Sequence, residues 1–167
     1  MTRRPARRRP GLTLVSVIAV AVLVLIAWIA TRSVPDPRPA TTAAAEGELT
    51  EVFDEVERTI PAAMVLDSTQ SSEVEDCVTG NGGSEVHVRR VVDLDPALDR
   101  MAWINALGQE FAPADGWEYR GPAYRTEPLR AKLVDRRLLV TRITASIESG
   151  SPRIILTSTS RCTQPSG

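Results

Sequence analysis

Leu138–Ser160 reads LLVTRITASIESGSPRIILTSTS, and this stretch decides the fold class. Through Ile147, apolar and β-branched residues alternate with polar ones, the period of a half-buried strand. Ser149-Gly150 supplies a turn, and Arg153–Ser160 continues in the same β-rich composition. Two strands joined by so short a turn pair antiparallel. Upstream, Trp117 and Tyr119 alternate in a shorter extended stretch that Gly121-Pro122 breaks. Glu85–Leu94 (EVHVRRVVDL) forms another strand, with Val86, Val88, Val92 and Leu94 on one side.

Two helices accompany these strands. Over Glu46–Ile60, the apolar residues Leu49, Val52, Phe53, Val56 and Ile60 repeat at intervals of three and four, with acids in the first turns and Pro61 at the end. The default partner for that face is the sheet of the same domain; a partner protein is the functional alternative. A second helix is predicted to start at Asp95-Pro96, with Asp95 as its cap. Ala97, Met101, Ile104, Gly108 and Phe111 line its inner face, and it stops near Pro113. The order helix, strand, helix, then three or more strands is α+β: two helices packed on a mainly antiparallel sheet.

Ahead of this domain, Leu12–Ala30 (LTLVSVIAVAVLVLIAWIA) carries no charge. As a helix of 19 residues it is roughly 28 Å long at about 1.5 Å per residue, close to the hydrocarbon thickness of a bilayer. Arg3, Arg4, Arg7, Arg8 and Arg9 precede it without an acid, which keeps the amino terminus inside. A cleaved signal peptide is the competing reading. Its apolar core runs about 7–15 residues, shorter than this one, and cleavage after Ala30 would put bulky Trp28 at a small-residue position. Residues 1–11 are therefore read as a cytoplasmic tail, 12–30 as a transmembrane helix and 31–45, with prolines at 35, 37 and 39, as an extended spacer. Residues 46–167 are the outer domain, which places the chain in the cell membrane as a single-pass protein.

Of the 20 basic groups, five lie before the apolar run, so the chain from Thr31 onward holds 15 basic and 21 acidic side chains. That balance argues against nucleic-acid binding by the body of the protein. Charge also separates within the outer domain. Glu46–Asp99 contains 14 acids and 3 arginines, whereas Arg100–Gly167 has 10 basic groups and 6 acids. Arg120, Arg125, Arg130, Lys132, Arg136 and Arg137 are thus a candidate ligand surface for an anionic polymer, lipid head groups or an acidic envelope protein. The alternative is that they pair with the acidic half.

Cys77 and Cys162 are the only cysteines, and an even count on the outer side suggests a disulfide. A catalytic or metal-binding thiol pair lacks CxxC spacing and companion histidines. His87, the only histidine, sits at an odd position of a strand whose even positions are apolar, so it faces outward. No elbow motif singles out a serine to join it. Gly80-Asn81-Gly82-Gly83 lacks the lysine of a phosphate loop and reads as a flexible turn. Glu73, Glu75, Asp76, Asp93, Asp95 and Asp99 show no calcium-loop pattern, and nothing selects a catalytic pair among them. Trp103, Trp117, Tyr119 and Tyr124 read as core more readily than as sugar-stacking platforms. No catalytic residue, cofactor or metal ligand is assigned.

Basic tail, single anchor, proline-rich spacer, amphipathic helix and two bracketing cysteines together resemble small membrane-anchored or lipoprotein-like envelope proteins of actinobacteria. Asp115-Gly116-Trp117 and Ser160-Arg161-Cys162 are the nearest to signatures. The resemblance implies an envelope location and carries over no active-site residue. The chain departs from the lipoprotein members in having no cysteine before Cys77 to carry a lipid. The expected function is a non-enzymatic, membrane-tethered binding or accessory domain, with the bilayer as partner through residues 12–30. A structural subunit of an envelope complex, docking through Leu49, Phe53 and Val56, and a carboxylate-dependent envelope hydrolase are the alternatives.

Overall fold

The computed structural model describes residues 38–164, apart from 79–81, 112–115, 124–125 and 149. The tail, the expected transmembrane segment at 12–30 and the spacer up to residue 37 lie outside the described residues. Among those described, no helix is long and apolar enough to cross a membrane.

Helix α1 spans Thr42–Glu57 and buries Ala45, Leu49, Val52, Phe53 and Val56. It starts earlier than its periodicity suggested. Thr41 is the N-cap, its hydroxyl accepting from the Ala44 amide at 3.1 Å. The last residues assigned to the spacer are good helix formers and belong to the first turn. Its apolar face packs on the sheet of the same domain, chiefly on β2 (Ser84–Leu94). Burying a side chain as large as Phe53 completely contributes about 1.5–3 kcal/mol.

After a single 3-10 turn at Ala62–Met64 comes β1, Val65–Asp76, a strand absent from the sequence expectation. It pairs antiparallel with β2 from Val65↔Leu94 to Asp76↔Ser84. Beyond β2 the second helix, α2, spans Arg100–Glu110. The Asp95 cap expected for it is corrected. Asp95 instead accepts from the Ala97 amide to close a turn, and Asp99 caps the helix by accepting from the Ala102 amide at 2.9 Å. Trp103, Ile104 and Leu107 are its buried residues, and Ala97 lies outside it, exposed.

Four strands follow: β3 (Glu118–Arg120), β4 (Leu129–Val134), β5 (Val140–Glu148) and β6 (Ser151–Thr159). The sheet order is β1-β2-β6-β5-β4-β3, and every pairing is antiparallel. A hairpin (β1-β2) and a four-strand meander (β3 to β6) are thus joined by α2, and β6 closes the sheet against β2. The fold is α+β, with two helices on one face of a six-stranded sheet. Val86, Val88, Val92 and Leu94 of β2, Leu129 and Leu133 of β4, Ile143 of β5 and Ile154 and Leu156 of β6 form the inner face beneath the helices.

Cys77, just past β1, and Cys162, just past β6, form a disulfide across the end of β2 with Cα atoms 6.1 Å apart. The bond spans 85 residues, and closing a loop of that size stabilises by about 4.6 kcal/mol in the chain-entropy model. Gly83 has φ of +100°, and a Cβ there would lie 2.4 Å from the carbonyl oxygen of Thr163. That contact lets Thr163 donate its amide to the Ser84 carbonyl and accept from the Ser84 amide.

Candidate functional site

Antiparallel register puts directly opposed residues on the same face. One register line crosses all six strands: Ser71↔Arg89, Arg89↔Thr157, Thr157↔Arg142, Arg142↔Lys132 and Lys132↔Arg120. These residues belong to the face that neither helix covers, because the buried, inward positions of β2, β4 and β5 lie on either side of them. Four cations therefore stand in one row. At about 4.8 Å between strands, Arg120 and Arg89 mark a line about 19 Å long. Arg130 adds a fifth cation one row over, opposite Thr144.

Lys132 faces Arg142 on one side and Arg120 on the other, and like charges directly opposed destabilise a sheet, typically by about 0.2–1 kcal/mol per pair. Among the described residues, Arg89, Arg130, Lys132 and Arg142 make no ion pair with an acid, and only Arg120 is neutralised, by Glu118 at 2.6 Å. Arg89, Arg130 and Arg142 are exposed. A shallow depression of about 560 Å³ lies over the centre of the row, lined by Ser71, His87, Arg89, Arg142, Thr157 and Thr159 among others.

The six basic residues singled out from sequence divide accordingly. Arg120, Arg130 and Lys132 lie on this face. Arg137 does not. It pairs with Asp135 at 3.0 Å and reaches Glu51 of α1 at 3.4 Å; burial works to lower its pKa, but the neighbouring acids, Asp135 foremost, together outweigh it and raise it. Arg136 lies against Gly116 in the turn after β4, and Arg125 is outside the described residues. Two members of the row, Arg89 and Arg142, were missed. The signal was present. The alternation that points His87 outward points Arg89 outward too, and Arg142 alternates between inward-facing Thr141 and Ile143.

The other acids and bases are mostly paired. Arg153 binds Asp93 at 2.5 Å and Glu148 at 3.2 Å, and Arg161 reaches Glu48 at 3.0 Å. Arg90 is the largest surprise in the sheet, an arginine at an inward position of β2 and only 8% exposed. It donates to Asp54 (2.6 Å), to Glu57 (3.0 Å) and twice to the Gln70 side-chain oxygen, and its guanidinium lies 5.6 Å from the centre of the Phe53 ring. A groove of about 1010 Å³ opens beside it, lined by Asp54, Glu57, Thr59, Ile60 and Gln70. With its donors occupied, Arg90 clamps α1 to the β1-β2 hairpin and offers a ligand little.

Trp103, Trp117 and Tyr119 are core or packed against it. The Trp103 indole donates to Thr59, and Phe111 and Trp117 meet edge to face at 4.9 Å. Tyr124 is outside the described residues. Of the six candidate acids, Asp93, Asp95 and Asp99 serve the salt bridge, turn and cap already described, while Glu73, Glu75 and Asp76 are exposed on β1. His87 faces the open side, its Nδ1 2.9 Å from the Thr159 hydroxyl and its Nε2 near Glu75 and Glu85. The cysteine sulfurs are joined to each other and offer no thiolate to a metal.

No family model matches the chain, and no curated protein matches it. Among solved structures, the chain is similar to a DUF4853 family protein from Actinomyces odontolyticus. The identity is 16% over 80% of this chain and 75% of that one, with a TM-score of 0.47.

Proposed function

We propose that the domain is a non-enzymatic binding module, tethered to the membrane by residues 12–30 and held outside it. Its ligand surface is the open face of the sheet, and its ligand is a linear anionic polymer of the cell envelope. The single observation that carries the binding assignment is the row Arg120, Lys132, Arg142 and Arg89, with cations opposed and three of the four without an acid beside them. A fold stabilised only for itself would place acids between them, as it does for Arg153 and Arg137. An extended polyanion laid across the strands neutralises several cations at once. The uncharged apolar run, the arginines before it and the disulfide support the tether and the oxidising side of the membrane.

The Leu49, Phe53 and Val56 face is buried in the domain's own core, so docking to an envelope complex through that face is disfavoured. The two acids that share the groove beside Arg90, Asp54 and Glu57, are both held by its guanidinium, which disfavours the hydrolase reading. The test is equilibrium binding of the full-length chain, in uncharged detergent, to soluble linear polyphosphate. Saturable binding that weakens steadily as salt rises is expected. An absence of binding at low salt, or turnover of a wall polymer lost on changing a single carboxylate, would overturn the reading.

A further inference from the structure

At the end of the β1-β2 hairpin, beside the disulfide, Glu75 and Glu85 are directly opposed on neighbouring strands, and His87 follows Glu85 on the same face. One ligand atom from each of the three lies within 4.8 Å of the others. His87 Nε2 is 3.4 Å from a Glu75 oxygen and 3.3 Å from a Glu85 oxygen, yet it is shielded from solvent and makes no hydrogen bond to either. The ring nitrogen is thus bracketed by two opposed carboxylates.

The spacing matches a particular kind of cation. Two ligands held at about 2.0–2.1 Å from one centre, at the tetrahedral angle, stand about 3.3 Å apart. Those are the separations from His87 Nε2 to both carboxylates. The other ring nitrogen already has a second partner, because Nδ1 can donate to the Thr159 hydroxyl at 2.9 Å. Donation from Nδ1 leaves the lone pair on Nε2, the arrangement typical of metal-bound histidines. We infer that Glu75, Glu85 and His87 form a binding site for a divalent transition-metal ion of the zinc type, with a fourth position open to water. Imidazole and carboxylate are suited to such an ion, and its charge relieves the repulsion of the opposed glutamates. The site is independent of the cationic row and stands whether or not the face binds a polymer.

The test uses the oxidised full-length chain, freed of metal and titrated with zinc. Saturation near one equivalent is expected, with a rise in the thermal unfolding midpoint. His87→Gln and Glu85→Gln should abolish both effects. Thr159→Val should weaken binding about 10–100-fold, and Glu110→Gln, an exposed acid on α2, should leave it intact. Because His87 is the only histidine, its ring nitrogens can be followed by nitrogen-15 NMR without variants. The Nε2 resonance should move on adding zinc while Nδ1 stays protonated. Zinc that fails to bind, or that binds without moving Nε2 and survives the His87 and Glu85 changes, would overturn the site.

Discussion

Lys132 and Arg142 stand directly opposite each other on β4 and β5, on the face of the sheet that neither helix covers. Nothing within the described domain neutralises either, and Arg120 approaches Lys132 from the other side. A sequence selected for stability alone has no use for this pairing.

Replacing Lys132 with glutamate tests that statement. Lys132→Glu creates opposite-charge pairs with both neighbours and is expected to stabilise the domain by about 0.5 kcal/mol while weakening polyanion binding. Urea denaturation and a binding titration on the same preparation read the two effects. A variant both less stable and unchanged in binding would show that the row has no ligand.

The Arg90 cluster should behave as structure. Arg90→Ala leaves Asp54, Glu57 and Gln70 without their shared donor and uncovers Phe53. A loss of about 3 kcal/mol is expected, the low end for breaking a buried ion pair, because Asp54 is still reached by water. Polyanion binding by the folded fraction should be unaltered.

Gly83 and Gly150 both have φ near +80° to +100°, but only Gly83 has a neighbour in the way. Gly150→Ala should cost about 1–2 kcal/mol, from backbone conformation alone. Gly83→Ala must in addition displace the Thr163 carbonyl and should cost visibly more. Equal losses in thermal unfolding would mean that the Thr163 contact is not holding the strand ends together.

Burial pushes the Tyr119 hydroxyl up to about 12, and it donates to the Ile104 carbonyl. The unfolded chain loses this proton near pH 10 and the folded chain only near 12, so the unfolded state binds fewer protons between them. Stability should therefore fall as pH rises from about 10 to 12 and be unaffected by this group below that window. Tyr119→Phe should flatten the alkaline limb. An identical limb in the variant would assign the loss to other groups.

The parts of the fold legible in sequence are those whose burial imposes a period. β2, β5 and β6 alternate because one face is covered, and α1 repeats at three and four because it lies on β2. β1 imposes no such period. It is an edge strand nearly all exposed, so its polar residues carry no trace of the pairing. Asp95 and Asp99 are both good caps four residues apart, and only the chain's path after β2 decides between them. The candidate surface was half legible for a related reason. Arg120, Arg130 and Lys132 cluster along the chain, whereas Arg89 and Arg142 join them only through the register of β2, β6 and β5. Arg137 clusters with them in sequence but turns toward Asp135 and Glu51.

The most direct test of the central claim compares charge reversal on the open face with the same reversal elsewhere. Arg89→Glu with Arg142→Glu removes the middle of the row. Arg58→Glu with Arg38→Glu makes the same change in net charge at residues outside it. If the face binds a linear polyanion, the first pair should abolish polyphosphate binding by the full-length chain, and the second should leave it within about twofold of the original at moderate salt. Equal losses from the two pairs would contradict a ligand surface on the sheet and reduce the interaction to net charge.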